Sequence, residues 1–92
     1  MAATQITVKD GNHQVTAAFV KSEDAGYSAG RLLLDLPSGA TISIKKSGRN
    51  WIEARIENNV CRRSVTHTTK AAALQSAAFE LLSETVELDS LV

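Results

Sequence analysis

Leu32-Leu33-Leu34-Asp35-Leu36-Pro37-Ser38-Gly39-Ala40-Thr41-Ile42-Ser43-Ile44 decides the fold. Leu32, Leu34 and Leu36 alternate with Leu33 and Asp35; Ile42 and Ile44 alternate with Thr41 and Ser43. Period-two alternation marks a strand with one face in a core. A loop at Pro37-Ser38-Gly39 sets Leu36 against Ala40, Leu34 against Ile42 and Leu32 against Ile44. Apolar residues then meet apolar residues across the pair, as a half-buried sheet requires. Extending the test forward, a three-residue loop at Ser47-Gly48-Arg49 sets Ile44 against Ile52 and Ile42 against Ala54. Asn58-Asn59 suits a two-residue turn, because asparagine tolerates positive φ. It sets Ile56 against Cys61 and Ile52 against Val65. The reading is a four-stranded antiparallel meander over 31–66.

Backward from it, Thr4–Lys9 alternates with Ile6 and Val8 on one face. Asp10-Gly11 follows, a favoured hairpin turn, and a second strand runs from about His13 to Lys21. A two-residue turn pairs Ile6 with Val15, whereas a four-residue loop pairs Val8 with Val15; both keep the apolar faces together. Residues 22–30 read as a loop with one turn of helix at most, since Gly26 and Gly30 disfavour helix. After the meander, Thr68 or Thr69 caps a helix from about Lys70. Ala71, Leu74, Ala78, Leu81, Leu82 and Thr85 share one side of it, and fraying is expected near Thr85–Leu88. The fold class is α+β: an antiparallel sheet, made of an N-terminal hairpin and the meander, with one C-terminal helix packed on one face.

The chain has 92 residues, 43% apolar and 22% charged, which fits one domain spanning 1–92 with one core. Apolar runs are far shorter than the ~18 residues of a membrane span, and no signal peptide is evident. A single cysteine, Cys61, excludes an internal disulfide and the usual zinc modules; it and the two histidines read as structural, Cys61 in the core and His13 and His67 at turns or strand ends. Ten basic residues balance ten acidic ones, yet 45–70 holds seven cations against two carboxylates while 71–92 holds carboxylates alone. Neutrality argues against a general nucleic-acid coat but leaves room for a basic patch.

The meander's parity places Arg31, Lys45, Trp51 and Thr66 in one row of the face away from the helix. Leu33, Ser43, Glu53 and Ser64 form a second row, and Asp35, Thr41, Arg55 and Arg62 a third. Arg63 falls on the inward face and reaches past the sheet edge, or a bulge lies near Arg62-Arg63. Tryptophan beside arginine is a common interface composition, and both stack on bases. A solvated mixed-charge face, a protein-binding surface and a phosphate-contacting surface all fit this arrangement. No acid–base pair, nucleophile triad or phosphate loop is legible, so no enzyme activity, cofactor, metal or small-molecule substrate is expected.

From residue 40 onward, the strands followed by Thr68-Thr69-Lys70-Ala71-Ala72 look like the second half of a double-stranded-RNA-binding domain, although only Lys70 is basic there. Over the whole chain, Ile6-Thr7-Val8-Lys9-Asp10-Gly11-Asn12-His13-Gln14, the length, and Lys45-Lys46-Ser47-Gly48-Arg49-Asn50-Trp51 resemble a phage-encoded anti-CRISPR protein of the type I-F inhibitor class. That resemblance implies binding to the crRNA-guided surveillance complex in the cytoplasm of an infected bacterial host, with occlusion of target DNA. It transfers no functional residue. The face reading supplies Arg31, Lys45, Lys46, Arg49, Trp51, Arg55 and Arg62 as candidates to meet acidic side chains of complex subunits or crRNA phosphate. Alanine at Arg55 and Arg62 is expected to weaken inhibition and leave the fold intact. The alternatives are an RNA- or DNA-binding module on the same basic strands and a small phage assembly protein.

Overall fold

A computed structural model describes residues 4–22 and 30–90, with the backbone alone for 89 and 90. Six strands lie side by side in chain order: β1 (Thr4–Asp10), β2 (His13–Lys21), β3 (Leu32–Asp35), β4 (Thr41–Ser47), β5 (Asn50–Glu57) and β6 (Val60–His67). All neighbouring pairs are antiparallel. The helix α1 (Lys70–Ser90) crosses one face. The expected α+β architecture is what the chain forms, with the hairpin joined to the meander through Val20↔Leu33 and Lys21↔Leu32.

Phe19, Ile42 and Ile44 are fully buried beneath Ala73, Ala77 and Ala78 of the helix. Alanine at these helical positions lets backbone approach sheet closely, and each large side chain removed from water contributes about 1.5–3 kcal/mol. The Thr69 side chain accepts a hydrogen bond from the Ala72 amide at 3.1 Å, the expected N-cap. Ala71 is exposed, so the buried stripe lies on Ala73, Leu74, Ala77, Ala78 and Leu82. The helix also does not fray at 85–88: it continues to Ser90, and the Thr85 hydroxyl donates to the Leu81 carbonyl at 2.8 Å.

The β1–β2 hairpin takes Val8↔Val15, but through a two-residue turn at Gly11-Asn12, one position later than Asp10-Gly11, rather than through the four-residue loop expected for that register; Gly11 stands at φ 61°. The meander's first pairing is as read, Leu32↔Ile44 and Leu34↔Ile42. The second is not. Ser47 pairs with Asn50 around a two-residue turn with Gly48 at φ 62°, which gives Ile44↔Glu53 and Ile42↔Arg55 instead of Ile52 and Ala54. One residue removed from the loop turns every β5 side chain to the other face. Asn58-Asn59, both at positive φ, then sets Ile56↔Cys61 as expected. A bulge follows, with Arg63 opposite Arg55, so Arg62 is the extra residue and Ile52 meets Thr66 rather than Val65. The one-turn reading of 22–30 falls mostly outside the described residues; at its rim Ser22 exchanges backbone bonds with Gly30 and Arg31.

Candidate functional site

The shifted turn redistributes the expected face. Its outward rows are Lys45–Ile52–Thr66, Leu33–Ser43–Ala54–Ser64 and Asp35–Thr41–Ile56–Cys61. The β3 and β4 positions keep their side, while Trp51, Glu53 and Arg55 of β5 give way to Ile52, Ala54 and Ile56. The bulge returns Ser64 and Thr66 to the expected face. Cys61 is exposed rather than in the core.

Under the helix, inward-facing β5 and β6 residues build a charged layer. Arg55 Nε lies 2.7 Å from Glu57 Oε2, and its Nη1 lies 3.2 Å from Glu80 Oε1 and 2.8 Å from Glu84 Oε2. Arg63 pairs with Glu80 as well, which answers how an inward arginine is satisfied at this edge. The hydrogen bond with Glu57, joined by those with Glu84 and Glu80, holds the Arg55 guanidinium above its ordinary value against the opposing effect of burial. Burial pushes the Glu84 carboxyl up, but hydrogen bonds from Ser38 and Arg55 outweigh it and hold the group below its ordinary range. The Ser38 amide donates to Glu84 Oε1 at 3.1 Å, which ties the β3–β4 loop to the helix. Glu53, expected on the open face, is 2% exposed and meets His67 Nε2 at 2.8 Å. Sequence reading missed this layer; the signal was the carboxylate pair Glu80 and Glu84, one turn apart on the helix.

At the other end of β5 the cations stand apart from carboxylates. Lys46 is the cross-strand partner of Trp51, and His67 lies on the other side. Trp51 is half-buried against the core, on the helix side rather than the open face, and Lys70 Nζ sits 5.6 Å from its ring centroid. Lys45 and Arg49 flank the same hairpin tip, and Lys45, Lys46 and Arg49 are exposed. Among the described residues none of Lys45, Lys46, Arg49 and Lys70 forms an ion pair.

The structure therefore sets Lys46 and Lys70 beside Trp51, with Arg49 at the same hairpin tip and Lys45 next to it on the opposite face. It separates Arg55 and Arg62, which lie toward the opposite end of β5, with Arg62 Nε 3.8 Å from Glu57. Arg31 lies just before β3, two strands away from β5. Arg55 is bound into the helix layer, so its replacement is expected to destabilise the fold as well, and the double alanine variant does not isolate binding. Among the described residues no cluster of His, Cys, Asp and Glu could hold a metal ion, and no helix is long and apolar enough to cross a membrane. Comparison with family models, curated proteins and solved structures finds no match.

Proposed function

We propose that the chain is a non-catalytic binding protein that engages an anionic surface of a larger assembly through the β4–β5 hairpin tip. The observation that carries this reading is the sorting of its cations. Arg55, Arg62 and Arg63 are neutralised within the fold, whereas Lys45, Lys46 and Arg49 at the hairpin tip and Lys70 over Trp51 have no ion pair among the described residues. Unneutralised charge steers association and is compensated on binding. A half-buried tryptophan supplies a rigid anchor. Read with the resemblance to type I-F inhibitors, the assembly is the crRNA-guided surveillance complex of an infected bacterium. The contacts are acidic subunit side chains or crRNA phosphate, and the outcome is exclusion of target DNA.

The test is co-elution with a crRNA-loaded type I-F complex at about 0.15 M salt, with target-DNA binding scored in the same fractions. Co-elution with loss of DNA binding is expected, and reversal of Lys45, Lys46 and Arg49 to glutamate should abolish both effects without altering the fold. Undisturbed DNA binding without co-elution discards the type I-F partner. The same tip also suits a stand-alone nucleic-acid module. That protein would bind naked duplex with log K falling against log salt at a slope of about −3 to −4 for its four cations.

A further inference from the structure

The two edges of the sheet are built differently. The β6 edge is interrupted by the bulge at Arg62 and carries the consecutive cations Arg62 and Arg63, devices that discourage pairing with another strand. The β1 edge has no bulge and no proline, and its only charges, Lys9 and Asp10, stand at one end.

We propose that β1 is the interface of a two-fold homodimer, in which the β1 strands of two copies pair antiparallel about Thr7 and continue the sheet from one molecule into the other. The available backbone groups follow from the hairpin. Asp10 and His13 close a two-residue turn, so they exchange hydrogen bonds across it, and the alternation repeats at Val8↔Val15 and Ile6↔Ala17. Thr7↔Thr16 is then a non-hydrogen-bonded pair, and their side chains approach accordingly, with the hydroxyls 2.8 Å apart. Gln5, Thr7 and Lys9 are left with amide and carbonyl directed away from β2.

These residues match themselves under a two-fold axis. With Thr7 opposite its own copy, Gln5 faces Lys9 and Lys9 faces Gln5, and each pair exchanges both backbone hydrogen bonds. Ile6 faces Val8 on the helix side, and Thr4 faces Asp10. Apolar meets apolar, and no like charges oppose. A closed two-fold contact also consumes both β1 edges at once and ends there. Ile6, only half-buried within one copy although packed on the core, gains its missing cover. Beside this edge, Phe79 is 48% exposed and lines a groove of about 350 Å³ with Asp10, Leu82 and Val86, which leaves apolar surface next to the joint.

Sedimentation equilibrium of the full chain, carried to millimolar concentration, reads the result directly. The expected mass rises from 9.8 kDa toward twice that value. Thr7→Pro removes an outward amide at a position where an edge strand tolerates proline, and it should leave a folded monomer. Gln5→Lys sets lysine against Lys9 twice and should weaken self-association by about tenfold or more. Adding Lys9→Glu should restore it. The Gln5→Lys pair of variants keeps the test decisive even if Thr7→Pro fails to fold. A chain that stays monomeric throughout overturns the proposal, as does a dimer indifferent to these substitutions.

Discussion

Two halves of one helix–sheet interface are held by different physics. Over β2, β3 and β4 the helix presents alanines and leucines to Phe19, Leu34, Ile42 and Ile44, and the contact is apolar and closely packed. Over β5 and β6 it presents Glu80 and Glu84 to Arg55 and Arg63, while Glu53 is buried with His67. The first half gains from water released by apolar surface, and almost any well-sized aliphatic set would serve. The second half compensates desolvated charge with specific partners, so it adds little net stability but accepts few alternatives. The contrast shows how a small sheet fixes the seat of its helix: aliphatic packing supplies cohesion, and the ion pairs choose the register.

The largest expected effect tests the apolar half. Phe19→Ala should cost about 3–5 kcal/mol, because a fully buried aromatic leaves a cavity. In thermal unfolding that is a fall of about 12 °C or more for a domain of this size. A loss below about 1 kcal/mol would show that the hairpin contributes little to the core.

Next comes the charged half. Arg55→Met should cost about 2 kcal/mol, most of it from carboxylates left without their partner. Adding Glu80→Gln and Glu84→Gln should recover most of that loss, and urea denaturation of the series reads it. Purely additive losses would mean that these groups do not act together.

A smaller effect is expected from pH. Because the folded Glu84 carboxyl lies below its ordinary value of 4.5, the stability it supplies is present above that value. It is lost as pH falls through the lower folded value. The raised guanidinium of Arg55 keeps its contribution throughout this window. Urea midpoints measured from neutral pH downward should therefore hold steady and then drop below about pH 4.5, with a shallower drop in Glu84→Gln. An equal drop in that variant would assign the acid limb to other carboxylates.

The smallest effect concerns the outward side. Cys61→Ser should change stability by no more than about 0.5 kcal/mol, and the wild-type thiol should react with a disulfide reagent without unfolding. A protected thiol would mean that β6 is covered in solution.

Most of the architecture was legible because Leu32, Leu34, Ile42 and Ile44 admit only one inward face, and because Thr69 and the alanine run define a helix start. The β4–β5 turn was not, for a physical reason. In β5 the set Ile52, Ala54 and Ile56 and the set Trp51, Glu53 and Arg55 alternate equally well, and apolar matching favours the first. Deciding between them required the carboxylates of a helix more than twenty residues further on. The site followed the same logic: Lys45, Lys46 and Arg49 kept their tip because it lies at the turn itself, whereas Trp51 and Arg55 changed sides with their strand. The bulge at Arg62 then hid the slip, since β6 regained the expected phase.

Strand order carries a consequence for how the chain acquires this structure. Every strand pairs only with its neighbours in sequence, so each hairpin can zip as soon as its second strand is available, and short loop closures make such events fast. The helix is the exception. Until Lys70–Ser90 has been synthesised, a sheet assembled on the ribosome has nothing to lay over Phe19, Ile42 and Ile44. The nascent chain is thus most adhesive just before this helix emerges, the stage at which a chaperone or a premature stop would matter most.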